Sequence, residues 1–109
     1  MKSYEIILAG TKYEVYPQVA TYAYNDRLAI RLYAKGAGVI GNITVNLDSP
    51  LSGSKKTHAF VDTNNGKVFD VERFLERYDL AQPTGFMARS GYCTYPEYKF
   101  DLKKLQEAA

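Results

Sequence analysis

The run "LAIRLYA", Leu28 to Ala34, alternates without a break. Leu28, Ile30 and Leu32 fall on one side of an extended chain, and Arg31 and Tyr33 fall on the other. A period of two is the pattern of a strand with one face on a core and the other in water. Such a strand needs neighbours, and the flanking sequence supplies them. "KGAG", Lys35 to Gly38, is a glycine turn. "VIGNITVNL" follows it, with Val39, Ile43, Val45 and Leu47 expected inward. Gly41 falls on the inward side, which predicts a bulge or a close backbone approach there.

Upstream, "SYEIILAGTKYEVYP" reads as a β-hairpin closed by the short connection "AGT". Tyr4, Ile6 and Leu8 share a face of one strand, as Tyr13 and Val15 do on the other. "DSPLSGSKKT", Asp48 to Thr57, is expected to be a loose polar loop. "HAFVD" reads as a short strand and "TNNG" as a turn. The period then changes: Val68, Val71, Phe74, Leu75 and Tyr78 recur at helical spacing. Asp70 is placed to cap that helix and Arg77 to favour its last turn. Pro83 is expected to stop it. "GFMARSGYCTYPEYKF" returns to strand-forming residues, and "DLKKLQEAA" reads as a short helix or tail.

These elements predict an α+β domain: an antiparallel β-meander of about five strands packed on one α-helix. The expected core is Ile6, Leu8, Val15, Leu28, Ile30, Leu32, Ile43, Val45, Leu47, Phe60, Val71, Phe74, Leu75 and Phe100. At 109 residues the chain fits one domain and can bury a core without covalent staples. The lone cysteine excludes an internal disulfide. The N-terminal apolar run, Ile6 to Ala9, is too short for a membrane span or signal core, so a cytoplasmic protein is expected.

Candidate chemistry is sparse. Cys93 and His58 are each the sole residue of their type, and a thiolate nucleophile would require them to meet in space. One of each, with no Cys-x-x-Cys, does not make a zinc site. No cofactor is expected. Asp62, Asp70 and Asp101 suit turns and caps better than acid–base work, and no spacing pairs them with Glu97. "GAG" lacks the rest of a phosphate loop. An enzyme is therefore the least favoured class.

The tyrosines remain: ten of them, with no tryptophan. Tyr92, Tyr95 and Tyr98 crowd "GYCTYPEYKFDL" beside Arg89. Tyr33 alternates outward beside Arg31, and Tyr24 lies in "ATYAYNDR". These seven residues are the expected binding set. Pro96 and Gly91 predict an edge strand, with Tyr95 as its exposed ring. Fourteen basic residues against twelve acidic, a net charge of +2, are mixed along the chain. That balance disfavours direct nucleic-acid binding and excludes acidic mimicry of DNA, so a protein partner is favoured. A small-ligand alternative would gather Arg27, Arg31, Arg89 and the tyrosines around a nucleotide messenger.

Four stretches carry a resemblance: Tyr24-Asn25-Asp26-Arg27-Leu28-Ala29-Ile30, Thr44 to Leu47, Val61 to Asn65, and Arg89 to Leu102. Together they resemble a domain-of-unknown-function family of small bacterial proteins, common on conjugative transposons and phage-like elements of gut Firmicutes. The family brings no catalytic residues. The resemblance implies a mobile-element accessory protein that counters host defence, in the manner of a type II anti-CRISPR protein. Its partner would be the effector nuclease or its guide complex.

Overall fold

The computed structural model describes residues 3–8, 10–63 and 70–107. The chain opens with the expected hairpin, β1 (Tyr4–Leu8) and β2 (Thr11–Thr21), with Leu8 paired to Thr11. Gly10 takes φ +82 in the connection, a value at which a side chain would be strained. β2 continues past its partner and pairs with β3 (Leu28–Ala34), which pairs in turn with β4 (Gly38–Asn42). The alternation of β3 is observed directly: Leu28, Ile30, Leu32 and Ala34 are buried, Arg31 is exposed, and Ala29 and Tyr33 are half-buried.

The expected bulge is present, and it moves a side chain. Leu32 pairs with Gly41, but Tyr33 pairs with Val39, so Ile40 is the extra residue. The slip puts Val39 on the outward face beside Tyr33, where it is 48% exposed rather than in the core. No atom lies within 4 Å of a Cβ built on Gly41, so the glycine marks the bulge and not a close approach.

The chain then changes sheet. The Ile43 N–H donates to the carbonyl of Ile30 at 2.8 Å, and the Ile43 carbonyl accepts from Asp62 N–H at 2.8 Å. Ile43, fully buried, thus joins two sheets. The second sheet has the order β5 (Thr44–Val45), β6 (His58–Val61), β8 (Cys93–Phe100), β7 (Ala81–Ser90), antiparallel throughout. Among the described residues, two antiparallel four-stranded sheets with two short helices replace the expected five-strand meander on one helix. The expectation fails at two places. "VIGNITVNL" is not one strand but a strand, a bend at Ile43 and the start of another sheet. "AQPTGFMARS", with its Pro and Gly, is a strand of its own.

Helix α1 (Val71–Arg77) begins as expected, with the Asp70 carboxylate accepting from Arg73 N–H at 3.1 Å and Arg77 in the last turn. It ends well before Pro83. Asp79 adopts φ +53 and the Leu80 N–H returns to the carbonyl of Leu75 at 2.9 Å, which closes the C-terminus. Pro83 lies in β7. Val68 and most of the expected "TNNG" turn lie outside the described residues. Helix α2 is Leu102–Glu107, with Leu105 fully buried.

The main core lies between the sheets and under α1, and contains Ile6, Val15, Ile30, Leu32, Ile43, Phe74, Leu75, Tyr98 and Phe100 among others. Tyr78 ties α1 to the β1 edge: its hydroxyl donates to the Glu5 carbonyl at 3.0 Å and accepts from the Glu5 N–H at 3.2 Å. A second cluster, Phe60, Ala88 and Tyr95, lies on the other face of the second sheet, packed against Val45, Leu47, Leu51 and Cys93. Leu8, Val45 and Leu47, expected in the core, are half-buried at its margins.

Candidate functional site

The second cluster decides where the expected binding residues end up. Along β8, Tyr98 and Phe100 face the main core, and Tyr95 and Glu97 face the other way. That face is covered by the loop Leu47–Lys55, which lies down because polar groups hold it. Arg27 donates from one guanidinium nitrogen to the carbonyls of Leu47 and Ser49, the latter at 2.7 Å. Asn25 donates to the Asn46 side chain at 3.0 Å. The N–H of Leu28 donates to the carbonyl of Lys55 at 3.2 Å.

The strongest tether is Glu97, fully buried. Its carboxylate accepts from Ser52 N–H at 2.7 Å and from the hydroxyls of Ser52 and Thr84. Burial alone would push this carboxyl up. The Ser52 and Thr84 hydroxyls, the Ser52 amide and the charge of nearby His58 outweigh it and hold the group below the usual carboxylate range. Gly53 lies against the His58 imidazole so closely that a Cβ there would clash with the ring. The stretch expected to be a loose polar loop is therefore a fitted cover.

Tyr95 is consequently buried, 7% exposed, and not the exposed ring expected of it. Desolvation, then neighbouring Cys93, raises its phenol above the usual range. Tyr98 is buried too, and its hydroxyl donates to the Glu72 carboxylate on α1 at 2.7 Å. β8 is not an edge strand, since β6 and β7 flank it. Pro96 fits because the β6 ladder ends one residue away, at the Phe60–Glu97 pair.

What does face solvent is the β7–β8 hairpin. Ser90 pairs with Cys93 across a two-residue turn, and Gly91 takes φ +61, as the first central residue of a tight hairpin turn does. Tyr92 stands at the tip, fully exposed. Arg89 braces the turn by donating from Nε to the Gly91 carbonyl at 3.2 Å. Further down β7 the register shifts between Pro83 and Met87, and Gly85 takes φ +92. This bulge aims the Thr84 hydroxyl at Glu97 and leaves Phe86 and Met87 55% and 58% exposed. Neither was among the expected binding residues. Pro83 and Gly85 within a strand-like run are the signal that points to them.

Residues 17–109 match the family described as "Domain of unknown function (DUF4313)". The chain belongs to that family. The match starts within β2 and takes in everything that builds the second sheet, its loop cover and the hairpin. No curated protein and no solved structure matches the chain.

The other expected residues of this family member lie on the first sheet or near it. Tyr33 is half-buried, its ring centroid 5.1 Å from that of Tyr16. Arg31 is exposed and donates from Nε to Gln18 at 2.9 Å. Tyr24, 83% exposed, rides the turn after β2. The three arginines of the ligand alternative do not converge. Arg27 is spent on the loop carbonyls, Arg89 is on β7, and the groove that holds Arg31 is lined by neither.

Nor do Cys93 and His58 meet. His58 pairs with Lys99 at one end of β8 and Cys93 begins the other end, about 20 Å away at strand rise. Proton transfer between them is out of reach. Among the described residues no three His, Cys, Asp or Glu side chains gather as a metal site, and no helix is long and apolar enough to cross a membrane.

Proposed function

We propose that this protein is a non-enzymatic anti-defence inhibitor carried by mobile elements. It acts by binding a protein partner, a type II CRISPR effector nuclease or its guide complex, through the β7–β8 hairpin. The observation that carries the binding part is Tyr92, fully exposed at the tip of a turn braced by Arg89. Tyrosine and arginine are enriched among the residues that dominate interface energetics: tyrosine brings large contact area with little entropy to lose, and arginine brings a planar fork of hydrogen-bond donors. Phe86 and Met87 extend the apolar surface along the same hairpin. The rest of the hairpin is anchored through Tyr95, Ala88 and Glu97, so the tip is presented pre-ordered, which limits the entropy lost on docking.

The anti-defence part rests on the resemblance of Arg89 to Leu102 and its companion stretches to proteins of mobile elements. A net charge of +2 argues for recognition by shape and aromatic contact over acidic mimicry. A plasmid-interference assay against a set of type II effectors tests it. The protein should protect the target plasmid from at least one of them. The double variant Tyr92→Ala, Phe86→Ser should lose protection while keeping the wild-type urea midpoint. Absence of protection across the set overturns the nuclease assignment, and undiminished protection by the double variant overturns the hairpin.

A further inference from the structure

The outward face of the first sheet holds a trough that the hairpin reading does not use. Its origin is a pair of small residues. Ala20 on β2 pairs with Ala29 on β3, and both alternate outward, so the sheet surface dips there. Larger side chains wall the dip. At one end Gln18 pairs with Arg31, and Arg31 pairs onward with Asn42 on β4. Tyr22 stands at the other end. The resulting groove, about 600 Å³, has the volume of a small-molecule site.

Its electrostatics have one sign. Arg31 is the sole charged residue of the lining, and no carboxylate shares the groove. Among the described residues its guanidinium makes one hydrogen bond, from Nε to Gln18, and no ion pair. That bond orients the fork and leaves both terminal nitrogens for an anion, which a guanidinium can grip through two parallel bonds. The aromatic wall is fixed as well. The Tyr22 hydroxyl hydrogen-bonds to the Thr44 hydroxyl at 2.9 Å, its N–H donates to the Arg27 carbonyl at 2.9 Å, and its carbonyl accepts from Asp26 N–H at 2.8 Å.

We propose that this trough binds a small organic anion carrying a planar ring, with the chemistry of a nucleoside monophosphate. The ring lies over the Ala20–Ala29 floor against Tyr22, and the phosphate takes the terminal nitrogens of Arg31. The Gln18 amide nitrogen reads the polar edge between. From Gln18 to Tyr22 is about 13 Å of strand, which asks for a ligand with separate ring and acid ends rather than a bare phosphate. A nucleic-acid strand is a poorer occupant, because a strand-tracking groove carries a row of cations and this one has a single arginine.

Calorimetric titration of the full chain with AMP, GMP, CMP and UMP tests the site, with the parent nucleosides, inorganic phosphate and a short single-stranded oligonucleotide as comparison arms. At least one mononucleotide should bind saturably, roughly tenfold or more tighter than its nucleoside or phosphate alone. Arg31→Gln should weaken that binding about tenfold or more, and Ala20→Leu, which fills the floor from an exposed position, should abolish it at an unchanged urea midpoint. Tyr92→Ala should leave it intact, which keeps the outcome separate from that of the hairpin. Failure of all four mononucleotides to saturate at millimolar concentration, binding that survives both groove variants, or tighter binding of the oligonucleotide would each overturn the proposal.

Discussion

β3 and β8 are strands of similar length with similar alternation, yet β3 keeps one face at the surface while β8 is packed on both. On β3 the even residues are buried, and the odd ones, Ala29, Arg31 and Tyr33, reach the surface. On β8 the parity is also as expected: Tyr98 and Phe100 share one face, and Tyr95 lies on the other. The burial is not, because both faces are covered, one by the main core and one by the Leu47–Lys55 loop. Alternation reports which residues share a face. It reports which face is wet only where nothing else in the chain comes to lie on it.

The largest effect that separates the two cases is within one hairpin. Tyr95→Ala should lower stability by about 3–5 kcal/mol, the range for truncating a buried aromatic. Tyr92→Ala, three residues away at the tip, should stay within about 0.5 kcal/mol. Urea denaturation of the two variants reads the difference. Equal midpoints would mean that the loop does not cover β8 in solution.

Next in size is the tether itself. Glu97→Gln removes the charge that Ser52 and Thr84 bond to and should cost about 2 kcal/mol, the scale of hydrogen bonds to an ionised group. The pH dependence has a definite sign. The folded carboxyl lies below its ordinary value of 4.5, so its stabilisation is fully present above that pH. It is lost as pH falls through the depressed folded value. The wild-type midpoint should therefore drop on acidification below about 4.5 more steeply than that of Glu97→Gln. Parallel curves would show that Glu97 carries no buried charge.

The contrast also marks how far the sequence could be read. The first hairpin, β3, the bulge beside Gly41 and the Asp70 cap each have a local cause: a period, a glycine or a short polar side chain before an apolar repeat. The second sheet does not. Its strands at Ala81–Ser90 and Thr44–Val45 are interrupted or short, and the bend at Ile43 is fixed by bonds to Ile30 and Asp62, 13 and 19 residues away. The loop cover is equally non-local, since only Leu47 and Leu51 of that polar stretch reach the cluster, and Arg27 and Glu97 hold it from outside. One hint was present. Glu97 sits at the parity of Tyr95, and an acid among aromatic residues is either a surface residue or a bonded buried one. The binding residues divide in the same way: Tyr92 and Arg89 follow from a tight turn, whereas Phe86 and Met87 follow from a bulge that pairing with β8 alone defines.

Two glycines sharpen the comparison at smaller scale. Gly53→Ala drives a methyl group into the His58 ring under the loop and should cost about 1–2 kcal/mol unless the cover lifts. Gly41→Ala, beside β3, meets open space at an ordinary φ and should be neutral or slightly stabilising. Amide exchange distinguishes strain from lifting: in Gly53→Ala the Ser52 amide should lose protection well before those of β3. If Gly41→Ala proved the worse of the two, β3 and not β8 would be the strand with a hidden cover.

The smallest effect concerns the face of β3 that stays wet. Tyr33 and Tyr16 are cross-strand neighbours, directly paired in register, with ring centroids 5.1 Å apart and planes inclined by 44°. Both are half-buried, and Tyr16 also packs against the main core. If that face is bare of any cover, the pair acts on its own. Each single replacement by threonine, which keeps strand propensity, should then cost under about 1 kcal/mol. The coupling in the Tyr16→Thr, Tyr33→Thr cycle should be about 0.5–1 kcal/mol, the scale of an aromatic pair beyond its buried area. A coupling near zero would mean that the rings rest on the sheet and not on each other. Single losses of the size expected at Tyr95 would mean that a segment lies over β3 as the loop lies over β8, and the difference between the two strands would vanish.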